Sequence, residues 1–244
     1  MSIHKTLATS NRVLSQLRHD HRTIALIFVV PPVLLTLLKY VYDGRPLVFE
    51  HIAPMLLGIF PMMMMFLITS IVTLRERSSG TLDRLMTMPI TKPDFIFGYA
   101  IAFCILGLLQ AVVTSAVMLL VLDVSVMGGA LSTIIVAILS AFLGTAMGLF
   151  TSAFAKTEFQ AVQFLPAFIL PQLLLCGLFI VRSEMAQFLH WLSNIMPLTY
   201  SVEAMKIITV YPNWTSDLTK DLIIVASFAI TALILASATI RRKS

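Results

Sequence analysis

Apolar runs of about the length of a membrane-crossing helix recur along the chain, separated by short polar connections. A hydrocarbon core takes roughly 20 residues of helix to cross. The runs at about 23–42, 52–74, 95–122, 130–155, 159–181 and 221–240 meet that length. Six transmembrane helices in an all-α integral membrane protein are therefore expected. The second, third, fourth and fifth runs contain no charged residue. The first is interrupted by Pro31-Pro32, and Lys39 near its end must snorkel toward the interface.

Two segments outside the runs have patterns of their own. Across residues 3–18, Ile3, Leu7, Ser10, Leu14 and Leu17 fall on one helical face, with Lys5, Arg12 and Arg18 off it. This predicts a basic amphipathic helix lying on a leaflet, the alternative being a soluble N-terminal helix. Residues 182–220 are the longest connection. Their first half holds Gln187, His190, Trp191 and Asn194, too polar for a span, so re-entrant or interfacial helices are expected before the sixth run. A seventh span is the alternative, and it would reverse the placement of the basic tail.

Composition sharpens this picture. The 244 residues are 58% hydrophobic and 12% charged, against about 25% charged in a soluble domain. One transmembrane domain over 1–244 is expected, with 1–22 as its amphipathic lead. Those first residues contain no apolar h-region, so no cleavable signal peptide is expected. The net charge of +5 sits in short flanks of the apolar runs, which argues against nucleic-acid binding. Twelve of the 17 Lys and Arg residues fall on one side of the expected topology and five on the other. The positive-inside rule then puts both termini in the cytoplasm and 182–220 outside.

Candidate chemistry inside the runs is sparse. Asp94, Asp123 and Glu158 sit at run ends, and no ionisable group takes a midplane position, which argues against an ion-coupled transporter or channel. No nucleophile–base pair or metal cluster supports a membrane-embedded lipid-modifying enzyme. Cys104 and Cys176 both lie in apolar runs and form no disulfide framework. Arg18-His19-Asp20-His21-Arg22 imitates a metal site, but neighbours on a helix face different ways and two arginines repel a cation; a juxtamembrane basic anchor fits better. The sequon Asn213-Trp214-Thr215 has meaning only in a eukaryotic secretory pathway. No phosphate-cradling GxxxxGK[ST] is present, so no ATP binding by that motif and no cofactor or metal is expected on this chain. Gln110, Thr114, Gln163 and Gln172 could line a route for an amphipathic substrate, or hydrogen-bond between helices. Ser140, Gly144, Gly148 and Ser152 form a small-residue stripe for close helix packing, within one chain or between two.

The most distinctive polar feature is the island Arg75-Glu76-Arg77-Ser78-Ser79-Gly80-Thr81-Leu82-Asp83-Arg84-Leu85. With Met88-Pro89 it resembles the permease subunits of type-2 ATP-binding-cassette (ABC) exporters, including multidrug export permeases. Their pattern is an acidic–basic pair, Gly-Thr, an acidic residue, a Leu pair and a Pro, matched here by Glu76, Arg77, Gly80, Thr81, Leu82, Asp83, Leu85 and Pro89. A second match is Gly177-Leu178-Phe179, then Pro197-Leu198-Thr199-Tyr200 with Glu203 and Ala204. The resemblance runs over roughly residues 60–210. Gly98-Tyr99, Cys176-Gly177 and Lys206 depart from the usual pattern.

That resemblance implies a coupling helix after the second span, docking on a separate ATPase through Glu76, Arg77, Gly80, Thr81, Leu82, Asp83, Arg84, Leu85 and Met86. It implies an outer gate containing Gly177, Phe179, Pro197, Tyr200 and Glu203. It further implies two permease copies, identical or homologous, with two ATPase subunits that carry the ATP and Mg. The expected place is a prokaryotic cell membrane, and the expected cargo a hydrophobic or amphipathic molecule such as a drug or lipid.

Overall fold

The computed structural model describes residues 3–79 and 92–239. The described residues form helices and no strand: α1 Ile3–His19, α2 His21–Val41, α3 Pro46–Ser78, α4 Lys92–Ala116, α5 Gly129–Ser152, α6 Glu158–Leu175, α7 Gln187–Asn194, α8 Pro197–Val210 and α9 Ser216–Thr239. A π-helical turn, Val117–Val121, extends α4, and a 3-10 turn, Arg182–Glu184, follows α6. Six helices, α2 to α6 and α9, are long and apolar enough to cross a membrane.

The centre of the bundle is the pair α3–α5, whose most apolar windows are each 61% buried, against 22–39% for the other four. The small-residue stripe explains their closeness. A Cβ at Gly144 would lie 2.1 Å from the Met62 carbonyl oxygen, and one at Gly148 would lie 2.6 Å from that of Phe66. The stripe therefore seats α5 on α3 within one chain. The hydroxyls of Ser140 and Ser152 donate to the Val136 and Leu149 carbonyls of their own helix, so these two stripe residues are satisfied within α5. Met62, Met65 and Phe66 fill the core here, joined by Phe95, Tyr99 and Phe103 of α4.

Four expectations change. First, α2 runs unbroken through Pro31 and Pro32, because hydrocarbon provides no other partners for a broken backbone. Second, Lys39 does more than snorkel: its Nζ donates to the Leu122 carbonyl at 2.9 Å and ties α2 to the end of the α4 extension. Third, α6 ends at Leu175, short of 181, because Gly177 takes φ +86, a left-handed conformation that helix cannot continue through. Fourth, only part of the expected α1 face, Ser10, Leu14 and Leu17, packs inward, together with small residues beside it. Thr6, Thr9, Ser10, Val13 and Leu17 are buried, while Ile3 and Leu7 are exposed. The reason is Gly98 of α4, where a Cβ would lie 2.6 Å from the Thr9 Cβ: only the small side of α1 fits against it.

Polar contacts sort the helix ends into two groups. Arg12 meets Glu76, and Arg75 meets Glu158, so α1, the end of α3 and the start of α6 share one end, here the α1 end. At the opposite end the Gly128 amide donates to the Ile208 carbonyl at 2.7 Å, joining α5 to α8. The α7–α8 hairpin belongs to this end. Its first arm, α7, exposes Phe188 and Trp191. Its second arm, α8, is buried along Leu198, Val202, Met205 and Ile208. A Cβ at Gly58 would be 3.1 Å from the Ser201 carbonyl, so α8 reaches on the order of 18 Å along α3 from Pro46. The second arm is thus buried among the helices and the first lies peripherally.

Candidate functional site

At the α1 end, three consecutive side chains of α3 bind three different helices. Arg75 donates through Nε and Nη2 to both oxygens of Glu158 on α6, at 2.8 and 2.9 Å, in a bidentate pair. Glu76, 8% exposed, lies 3.4 Å from the Arg12 guanidinium of α1. The Arg77 guanidinium donates to the Ser152 carbonyl, closing the end of α5. Arg12 also donates to the Tyr99 hydroxyl at 2.7 Å and lies 6.0 Å from the centroid of that ring, which packs on Phe95 at 4.3 Å. Asp94, near the start of α4, accepts from Thr6 of α1 at 3.5 Å. The result is a polar collar around the last turn of α3.

The resemblance assigns Glu76 and Arg77 to partner contact, yet both direct their charge into the chain. They hold the root of the island. Gly80, Thr81, Leu82, Asp83, Arg84, Leu85 and Met86 lie outside the described residues. Asp20, between α1 and α2, caps α2 by accepting from the Thr23 hydroxyl at 2.7 Å and its amide at 3.2 Å. Those hydrogen bonds hold its carboxyl below the usual carboxylate range. His19 Nδ1 is 2.7 Å from the Ser15 carbonyl, so the apparent metal motif is spent on helix ends. Among the described residues no cluster of three or more His, Cys, Asp or Glu could hold a metal ion.

The pathway candidates do not share one surface. Gln110 and Thr114 are fully buried, and the Thr114 hydroxyl donates to the Gln110 carbonyl at 2.9 Å. Gln172 accepts from the Leu198 amide at 3.2 Å and so ties α6 to α8. Gln163 alone of the four is exposed. A groove of about 720 Å³ opens elsewhere, between α4, α5 and α9, walled by Ile101, Cys104, Leu108, Ile138, Phe142 and Ile234.

At the hairpin end, several gate candidates converge on two cations, Arg182 and Lys206, that the resemblance does not assign to the gate. Arg182 pairs with Glu203, donates to Asn194, and reaches the Ser193 hydroxyl at 3.1 Å. One guanidinium thus joins the turn after α6 to α7 and α8. Lys206 donates to the Gly177 carbonyl at 2.7 Å. Burial draws its ammonium below the usual lysine range, and Glu203 opposes that shift. Burial raises the Cys176 thiol beneath them. Tyr200 donates to the Asn194 carbonyl at 2.6 Å, Pro197 starts α8 in a buried position, and Phe179 stands 64% exposed, outside the network. Asp221 of α9 is 7% exposed, with one carboxylate oxygen buried and unpartnered. The sequence hides it as an ordinary span flank beside Asp217 and Lys220.

Six helices apolar enough to span, a charged collar at one end and a helical hairpin at the other describe a polytopic helical membrane protein. The sequence model of the family described as ABC-2 type transporter matches residues 5–210, and the chain belongs to that family. It is similar to ABC transporter G family member 20 of Dictyostelium discoideum, 27% identical over 139 residues, 57% of this chain and 19% of that protein. It is also similar to the probable multidrug ABC transporter permeases YbhS and YbhR of Escherichia coli K12. YbhS is 27% identical over 141 residues, 57% of this chain and 37% of the relative. YbhR is 25% identical over 155 residues, 64% and 42%. The chain spans less than half the length of these relatives.

Proposed function

We propose that this chain is the membrane-spanning permease subunit of an ATP-driven exporter, coupled through residues 76–86 to separate ATPase subunits. The observation that carries the reading is the collar: Arg75, Glu76 and Arg77 anchor the root of the island to α6, α1 and α5 at once. A segment rooted this way moves with the bundle, which is what transmission of an ATPase closure requires. Family membership and the likeness to multidrug permeases support the same assignment. In this reading two ATPase subunits hold ATP and Mg, and a second permease, identical or homologous, completes the pathway. The α1 end is cytoplasmic, as the distribution of Lys and Arg favours.

The cargo is a hydrophobic or amphipathic molecule, in keeping with buried polar positions and no midplane charge. Gly177, Tyr200 and Glu203, with Arg182 and Lys206, close the outer side. Within this mechanism the chain has no catalytic residue; it orients, seals and transmits. The test is co-purification with the cognate ATPase and measurement of substrate-stimulated ATP turnover. Asp83→Lys and Gly80→Pro should abolish both while the protein still inserts. Retention of stimulated turnover in both variants would overturn the coupling assignment.

A further inference from the structure

Two charged side chains at the hairpin end stand without an ionic partner. Asp221 of α9 is buried, and its Oδ2 receives no hydrogen bond. Lys206 of α8 is half-buried, and its Nζ donates to a neutral group, the Gly177 carbonyl, at 2.7 Å. Among the described residues neither makes an ion pair, although Arg182 nearby pairs with Glu203. A buried acid and a half-buried base held apart both bear desolvation that pairing would offset.

The helices bring the two to one level. α8 rises toward the hairpin end, since Ser201 meets Gly58 well inside α3 and Ile208 meets Gly128 at that end. α9 packs on α8 and begins after the short connection 211–215. Lys206 stands four residues before the end of α8, and Asp221 five after the start of α9. Each therefore lies about 6–8 Å along its helix from the connection. Glu203 and Lys206, three apart, share one face of α8. Glu203 is also the foremost charge acting on Asp221, ahead of Lys220, Asp217 and Arg182. That face of α8 thus looks toward Asp221 as well as toward the turn after α6.

We propose that Lys206 is a two-position latch of the outer side. Its ammonium holds the Gly177 carbonyl in the closed arrangement seen here, and moves to the Asp221 carboxylate when the turn after α6 lifts. Gly177 suits the first position, because a Cβ there would lie 2.9 Å from the Lys206 Nζ. Asp221 supplies the second, so the ammonium exchanges one charge-assisted hydrogen bond for another and is never left unpartnered. Arg182, tied to Glu203, Ser193 and Asn194 together, is the fixed point about which the turn moves. Calling this side a gate rests on the proposed export function, but the exchange itself needs only this chain. Its failure leaves ATPase docking untouched, and the reverse holds too.

The test uses the full chain in nanodiscs, without ATPase. Dicyclohexylcarbodiimide, which enters membranes, joins an amine to a touching carboxylate as an amide with loss of water, and peptide mapping by mass spectrometry identifies the pair. A Lys206–Asp221 link is expected in the wild type, absent in Asp221→Asn, and retained in Asp43→Asn, an exposed acid outside the network. A link from Lys206 to Glu203 alone, or none, would overturn the latch. The second arm is maleimide labelling of Cys176, which is buried beneath the turn, in a Cys104→Ala background. Asp221→Asn should slow labelling several-fold, because the open arrangement loses its ionic partner, and Asp221→Glu should restore most of the rate. A mere loosening of the fold acts in the opposite sense, so unchanged or faster labelling in Asp221→Asn would also overturn it.

Discussion

Adding a single methyl group at Gly144 tests the central packing of the bundle. The Cβ of Gly144→Ala would sit 2.1 Å from the Met62 carbonyl oxygen and 2.8 Å from its carbonyl carbon and Cα. All three obstacles are backbone, so no rotamer change relieves the overlap. Reaching a normal carbon contact requires α3 and α5 to separate by on the order of 1 Å. Overpacking of this kind costs about 1–3 kcal/mol, and a rigid backbone obstacle puts Gly144 at the upper end. Replacing glycine inside a helix returns about 1 kcal/mol. The net loss is then about 2 kcal/mol. Gly148→Ala should lose less, since its Cβ would be 2.6 Å from the Phe66 oxygen. Gly107→Ala should lose less than Gly144→Ala but not be neutral, because the Ala141 Cβ at 2.9 Å is fixed to its backbone, and Gly44→Ala, with nothing within 4 Å, is the open-space control. Reversible unfolding in mixed micelles, followed by circular dichroism, measures the series. If Gly144→Ala were as stable as Gly44→Ala, the close α3–α5 seam would be wrong.

Three further outcomes are expected. Arg12→Ala and Glu76→Ala should each destabilise by about 1.5–3 kcal/mol, the range for charged hydrogen bonds, with the double variant well short of additive; additivity in a double-mutant cycle would deny their contact. Asp20→Ala should cost about 1 kcal/mol through loss of the α2 cap. Because the folded carboxyl lies below its unfolded value, this contribution is present above the ordinary carboxylate range and fades as pH falls through it and on to the folded value. An unfolding curve for Asp20→Ala that parallels the wild type across that acid range would contradict the cap. Arg182→Ala should speed labelling of Cys176 by a membrane-impermeant maleimide in a Cys104→Ala background, since it severs α7 and α8 from the turn after α6. Unchanged labelling would mean that Arg182 does not hold the hairpin.

The number and approximate place of the helices were readable because hydrocarbon demands long apolar runs, and length alone reveals them. Local backbone chemistry was less readable. Pro31-Pro32 looks like a break, but the surrounding bilayer keeps α2 helical, whereas Gly177 ends α6 through a positive φ that hydropathy does not register. Which side of α1 packs against α4 was not readable, because the decisive neighbour, Gly98, is remote in sequence. Distance along the chain also concealed the collar. The partners of Arg12 stand 64 and 87 residues away, and the partner of Arg75 stands 83 away. Sequence marked Glu76 and Arg77 as important for their pattern, but not as inward-facing. Arg182 and Lys206 were counted as topology charges, and only the folding of the hairpin onto α9 and α6 brings their neighbours together.

The most direct measurement of the proposed role is the amount of ATPase retained on the detergent-purified chain. Wild type and Arg45→Gln, altered at the opposite end of the bundle, should retain the same amount. Asp83→Lys should retain almost none, with membrane insertion and unfolding midpoint unchanged. Asp83→Lys that still holds the ATPase and still responds to substrate would contradict docking through the island.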